Sequence, residues 1–163
     1  MILPITYEGN PILRRPSQPV AAVTNDILIL IDDMFETMDQ SKGIGLAAPQ
    51  VGKNIRVIIV DTQQKKSKPF ALINPEIVHA EGEQLYEEGC LSCPGLTGTV
   101  KRAAKVTVLG LDENGSDIKI DAEKLLAVVL QHEIDHLDGI LFLDRLNEDE
   151  KQKVEKQRKV AKM

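Results

Sequence analysis

The pattern of apolar and polar residues divides the chain into an amphipathic helix, a series of strands and a second, more buried helix. In the first helix, apolar residues recur at intervals of three and four; they are Ile27, Leu30, Ile31, Met34, Phe35 and Met38. Thr24 or Asn25 can cap this helix, which should end before Gly43. The pattern predicts a helix that buries one face only.

The middle of the chain is predicted to form short strands. The β-branched run at 55–60 indicates the first, and further segments of strand character lie at 70–73, 76–79, 83–86, 99–102, 105–111 and 118–120. Asn114 and Gly115 suit the left-handed backbone of a hairpin turn between the last two. Strands that cluster between terminal helices, without strict β-α-β alternation, predict a single α+β domain of short antiparallel strands.

The segment 121–139 differs from the first helix because its residues 125–130 are all apolar. A helix that is apolar on every side is buried in the interior of a domain. Asp121 is the predicted N-cap, Glu123 places negative charge in the first turn, and Gly139 is a natural stop. We therefore expect this helix to run through the centre of the domain, with the strands packed around it.

Candidate chemistry lies on this central helix, at His132, Glu133 and His136. Residues four apart stand on the same helix face, so both imidazoles can reach one ion. Glu133 sits beside them, as in the H-E-x-x-H arrangement, where the carboxylate handles protons instead of binding the metal. The pattern predicts a metal site in a dry interior.

A third protein ligand is expected, because a catalytic metal site usually has three. Cys90 is the first candidate, since a thiolate binds zinc or iron strongly and Gly89 precedes it with flexible backbone. His79 is a second candidate, although it lies in a polar strand. A closed structural zinc site could instead use Cys90 and Cys93 with both histidines, and a C-x-x-C redox pair is the weakest interpretation.

The segment 43–50 contains two glycines and two alanines, which allow another backbone to approach closely, and Gln50 adds an amide donor. Taken alone, a plain connector is the more common interpretation of such a segment. Its spacing matches neither of the common phosphate-binding glycine motifs.

Composition and charge exclude several classes of function. The net charge of −5 and an aromatic content of 3% argue against binding DNA or other nucleic acid as substrate. Two cysteines are too few for a disulfide framework and suit a reducing compartment. No segment reads as a signal peptide or reaches the roughly 20 apolar residues of a membrane span, so we expect no membrane contact and a cytoplasmic or organellar protein.

Three motifs occur together in one order: G-x-G-L-A-A-x-Q at 43–50, E-G-C-L-S at 88–92 and Q-H-E-x-D-H at 131–136. In this combination the chain resembles the peptide deformylases. The resemblance extends to 10–14, 100–102 and 139–146, so it covers nearly all of a predicted domain at 1–147 and leaves only the charged tail 148–163.

The resemblance implies an enzyme that removes the formyl group from formyl-Met at the N-terminus of nascent polypeptides and releases formate. It implies that Cys90, His132 and His136 bind one divalent ion, Fe²⁺ in the cell, with Ni²⁺, Co²⁺ or Zn²⁺ as substitutes. Glu133 would be the general base and acid, while Gln50 and the backbone N–H of Leu91 would stabilise the oxyanion. The runner-up functions are another HExxH metallopeptidase and a zinc-stabilised module without activity.

We predict the substrate contacts from residue type. Four apolar side chains can line a pocket for the unbranched methionine side chain: Ile44, Leu125, Val128 and Val129. Gly45 and Gly89 leave backbone groups free to pair with an extended peptide.

Two positions depart from the family pattern, and the tail is outside it. Cys93 stands where the family usually has Val or Ile, and Thr97 stands where a longer Tyr or Arg is usual, which puts a contact from that position to the peptide backbone in doubt. The tail is predicted to be an exposed helix with acids near its start and bases near its end. Contact of this basic end with the ribosome is the second interpretation.

Overall fold

The computed structural model describes residues 1–161. Helix α1 spans Asn25–Ser41, and the Thr24 side chain caps it by accepting a hydrogen bond from the N–H of Ile27 at 3.4 Å. The helix ends at Lys42, whose φ of 58° is left-handed. Both ends of α1 were correctly predicted, because capping is a local signal.

Seven strands follow α1: β1 Gly45–Ala47, β2 Val57–Val60, β3 Phe70–Glu81, β4 Gln84–Cys90, β5 Cys93–Arg102, β6 Lys105–Leu111 and β7 Asp117–Glu123. Five form an antiparallel sheet in the order β1-β2-β3-β6-β7, while β4 and β5 form a separate hairpin. Strand β3 joins two predicted segments across an irregularity between Ile73 and Glu76. The α+β prediction with antiparallel strands is confirmed.

Helix α2 spans Lys124–Leu137, so it begins later than predicted. Asp121 is not its N-cap, and Glu123 precedes the helix instead of lying in its first turn. Ile118, Ile120 and Ala122 continue the alternation of β7, and the Asp121 carboxylate accepts a hydrogen bond from Thr107 Oγ1 at 2.7 Å on the neighbouring strand. The strand pattern therefore overrides the local capping signal.

The end of α2 is as predicted at Gly139. This residue has a φ of +76°, and a Cβ placed on it would lie 2.6 Å from the carbonyl oxygen of Arg14. Both the left-handed backbone and the close approach of the N-terminal segment require glycine here.

The five-stranded sheet lies between the two helices. Alternate residues of β2 point to opposite faces: Ile58 and Val60 pack toward α2, whereas Val57 and Ile59 pack toward α1. The α2 face of the core includes Ala127, Leu130, Ile134 and Leu137. The prediction of a buried central helix is confirmed, and its burial holds the histidine motif in the interior.

Helix α3 spans Glu148–Ala161 and is highly charged, as predicted. It is not solvated on all sides, because Val154 is buried in an apolar cluster with Leu96, Val100 and Leu146. Whether residues 148–163 act as a separate tail stays a prediction. Across residues 1–161, no helix has the length and apolar character needed to cross a membrane.

Candidate active site

The central helix and the β4–β5 hairpin bring three potential metal ligands together. One ligand atom each from Cys90, His132 and His136 lies within 4.8 Å of the other two. The Sγ atom of Cys90 is 3.4 Å from Nε2 of His136. His79, the alternative third ligand, is exposed on β3, and Cys93 is not part of the group.

The chemistry of these donors fits a divalent transition metal. His132 shares a hydrogen bond of 2.8 Å between its Nδ1 and Glu88 Oε1, which leaves Nε2 available to a metal. A hydrogen bond with Cys93 and contacts with both histidines outweigh burial and lower the pKa of Cys90, which favours the thiolate form that binds metals. Two imidazoles and a thiolate form a ligand set suited to zinc, iron, cobalt or nickel.

Glu133 lies beside this group and is buried. Its Oε1 makes no hydrogen bond to any of residues 1–161, and burial raises the pKa of its carboxyl group. A Cβ on Gly45 would lie only 2.6 Å from Glu133 Oε2, so glycine at this position makes room for the carboxylate. A buried carboxylate oxygen without a partner is costly for stability, which indicates a functional role.

Gln50 is held with its amide NH₂ pointed at the same centre. Its Oε1 accepts a hydrogen bond from the N–H of Ala47 at 3.0 Å, which fixes the orientation of the amide. Its Nε2 lies 3.2 Å from Ser92 Oγ and 3.4 Å from Cys90 Sγ. The segment 43–50, predicted to be a connector if taken alone, therefore includes β1 and most of a short 3-10 turn, Ala48–Val51, that presents this donor.

A cleft of about 550 Å³ contains the predicted catalytic and substrate positions. Its lining includes every predicted substrate residue: Ile44, Gly45, Gly89, Leu125, Val128 and Val129. Leu91 and Gln50 also line it. Thr97, noted above as a departure from the family pattern, lines the cleft as well, whereas Lys42 and Tyr86 are lining residues that sequence reasoning missed. For Tyr86, its closeness to Cys90 on one strand was the available signal.

A buried chain of charged residues lies behind His132, and no short-range sequence pattern predicts the contacts among them. Arg102 donates from Nε and one terminal nitrogen to the two carboxylate oxygens of Glu88, each at 2.8 Å. Its other terminal nitrogen donates to Asp135 at 2.6 Å, and Asp135 also accepts two hydrogen bonds from Arg145. Burial raises the pKa of Glu88, but the hydrogen bonds from Arg102 and His132 outweigh it and lower the pKa.

Comparison with known proteins agrees with the resemblance carried by the three motifs. A sequence model for the polypeptide deformylase family matches residues 2–152. A curated peptide deformylase from Halothermothrix orenii is 53% identical over 145 residues, which cover 89% of this chain and 94% of that protein.

Solved structures have the same fold. The peptide deformylase from Legionella pneumophila gives a TM-score of 0.92 at 42% identity, covering 99% of this chain and 96% of that one. A class I type b peptide deformylase from Acinetobacter baumannii, with Met-Ala-Ser bound, gives a TM-score of 0.86 at 37% identity. The match covers 90% of this chain and 99% of the Acinetobacter chain. The resemblance seen in the three motifs is confirmed: the chain belongs to the peptide deformylase family.

Proposed function

We propose that this chain hydrolyses the N-formyl group of formyl-Met at the start of nascent polypeptides and releases formate. The observation that supports this proposal most strongly is that one cleft brings together three features. They are the metal-ligand group of Cys90, His132 and His136, the unpaired carboxylate oxygen of Glu133 and the oriented amide of Gln50. An identity of 53% to a curated deformylase supports it over another HExxH metallopeptidase or a zinc-stabilised module.

Cys90, His132 and His136 would hold one divalent ion, which we propose to be Fe²⁺ in the cell and replaceable by Ni²⁺, Co²⁺ or Zn²⁺. When bound, such an ion supplies Lewis acidity and makes a nucleophilic water available near neutral pH. The chain supplies the orientation of the ligands, because Glu88 holds the His132 ring through Nδ1.

The remaining steps of the reaction are proton transfer and charge stabilisation. Glu133 would take the proton from the attacking water and deliver it to the leaving amine nitrogen. Its raised pKa suits a group that must both accept and release a proton. As negative charge grows on the formyl oxygen, Gln50 Nε2 and the backbone N–H of Leu91 would donate to it.

The cleft would bind the formyl-Met end of an extended peptide. Ile44, Leu125, Val128 and Val129 would contact the methionine side chain, and backbone groups of Gly45 and Gly89 would pair with the peptide main chain. The Acinetobacter baumannii relative with Met-Ala-Ser bound supports a peptide as ligand. Contact of α3 with the ribosome and a cytoplasmic or organellar location stay predictions.

The proposal predicts formate release from formyl-Met peptides, with a kcat/KM roughly tenfold or more above that for formyl-Ala peptides. Each methylene missing from an apolar pocket costs about 1 to 3 kcal/mol of transition-state stabilisation. The measurement is formate release by anaerobically purified, metal-loaded protein, with the same peptides lacking the formyl group as control. Equal kcat/KM for the two formyl peptides would contradict the pocket, and cleavage of internal bonds in the unblocked peptides would favour a peptidase.

A second prediction concerns the two cysteines. Cys93→Val should keep one metal per chain and activity within a few-fold, because Cys93 is buried in an apolar cluster and three protein ligands suffice for a catalytic site. Cys90→Ser should lose metal. Metal content by elemental analysis separates the two variants, and loss of metal from Cys93→Val with retention in Cys90→Ser would reverse the assignment.

A further inference from the structure

Helix α3 packs directly against β5, the strand on one side of the cleft. Val154 is its buried anchor, and Leu146, which precedes the helix, lies against Gly98 of β5. A Cβ at position 98 would come within 2.7 Å of Leu146 Cδ2, so a larger residue there would have to displace the Leu146 side chain. The helix is therefore docked on the β5 side of the cleft through Leu146 and Val154.

Gln157 of α3 makes a two-point contact with Thr97 of β5. Its Oε1 accepts a hydrogen bond from the backbone N–H of Thr97 at 3.0 Å, and its Nε2 donates to Thr97 Oγ1 at 3.1 Å. Thr97 lines the cleft and is paired in register with Gly89, a proposed contact of the peptide backbone. The contact thus links the C-terminal helix to the peptide side of the cleft through one strand pair.

Arg158, the next residue of α3, contacts the N-terminal segment of the chain, which is hydrogen-bonded to the turn that carries Leu91. Arg158 donates to both carboxylate oxygens of Glu8 at 2.8 Å, and the N–H of Glu8 donates to the carbonyl of Ser92 at 2.8 Å. About a third of each charged side chain is exposed, so this ion pair contributes little to stability. Gln157, whose contact includes a main-chain group of β5 itself, is the more direct of the two links to the cleft.

We propose that Gln157 is a positioning residue for peptide binding: it holds β5 at Thr97, and through the β4–β5 register it fixes the backbone of Gly89 against the bound peptide. The hydroxyl of Thr97 is occupied by Gln157. The C-terminal helix would thus support the peptide side of the cleft from behind the strand. The kinetic part of this inference rests on the proposed function.

The test compares three variants of the full, metal-loaded chain. Gln157→Leu keeps a side chain of similar bulk, one atom shorter, and removes both polar atoms. Gln157→Glu keeps an acceptor for the Thr97 N–H, and the Thr97 hydroxyl can donate to it, so this variant should restore the contact. Gln152→Leu is the matched control, because Gln152 is an exposed residue of the same helix.

We expect three results for Gln157→Leu. Hydrogen exchange of the Thr97 amide should quicken by roughly tenfold, the KM for formyl-Met-Ala-Ser should rise by about three- to tenfold, and the Kd of Met-Ala-Ser should rise in parallel. The kcat should stay within about twofold, because no group at the reacting atoms changes. Gln157→Glu and Gln152→Leu should resemble the unmodified chain in all three measurements.

Unchanged exchange at Thr97 in Gln157→Leu would overturn the inference, and so would faster exchange with unchanged KM and Kd, since the contact would then be structural only. Failure of the proposed function is separable from this outcome. If the unmodified chain released no formate, the amide exchange and the Met-Ala-Ser titration would still decide the role of Gln157.

Discussion

Glu133→Ala is expected to fold, keep its metal and lose at least ~10²-fold in kcat for formate release, the usual contribution of a positioned acid-base group. Glu133 is next in sequence to His132, one of the three metal-ligand candidates, and its Oε1 has no hydrogen-bond partner within residues 1–161. Removing it takes an unpaired buried carboxylate out of the interior, so the thermal stability of the variant should be unchanged or higher. Loss of activity without loss of stability would identify a catalytic role.

Metal content, Tm and turnover must be measured on the same sample, because a lost ion would imitate lost catalysis. Glu123→Ala is a suitable control, since Glu123 is an exposed carboxylate one residue before α2 and makes no capping hydrogen bond with its side chain. A fully metallated Glu133→Ala with the turnover of the unmodified chain would remove the proposed mechanism.

The central helix and the placement of its two histidines could be predicted because both depend on short intervals in sequence. The four-residue spacing of His132 and His136 places them on one helix face, and the apolar run before them indicates burial. The start of the helix could not be located in this way. Asp121 is a good N-cap by residue type, but its pairing with Thr107 on β6 keeps it in a strand.

The parts of the site that were missed depend on contacts between distant segments. Glu88, Arg102 and Asp135 come from a strand, the strand paired with it and the central helix. Each could have been a surface charge by sequence pattern alone, since no local rule pairs residues 14 or 33 positions apart. Strand β1 was missed for another reason, because its three residues are too few to show an alternating pattern.

The docking of α3 was missed because a single apolar residue anchors it. Val154 is 4% exposed, whereas most of its neighbours on the helix are charged and exposed. A pattern of charges predicts a solvated helix, and one valine is too small a signal to predict which strand the helix contacts. The Gln157 contact with Thr97 depends on that docking and could be seen only in the structure.

Arg102→Met is expected to lower both stability and metal affinity. Arg102 is buried and is the shared partner of two buried carboxylates, Glu88 and Asp135. Removing one partner of a buried ion pair leaves uncompensated charge, which costs about 3 to 5 kcal/mol. For a chain of this size the corresponding drop in Tm is on the order of 10 °C.

The loss of metal affinity follows from the second role of Glu88. The carboxylate that Arg102 holds also bonds Nδ1 of His132, so its release should weaken metal binding by roughly 10- to 100-fold. Lys101→Met is the matched control, because Lys101 is the preceding residue of β5, is exposed and pairs only with exposed Glu83 at 3.6 Å. It should change the free energy of unfolding by less than about 0.5 kcal/mol. Equal Tm and equal metal Kd for the two variants would show that the buried ion pairs neither stabilise the fold nor orient His132.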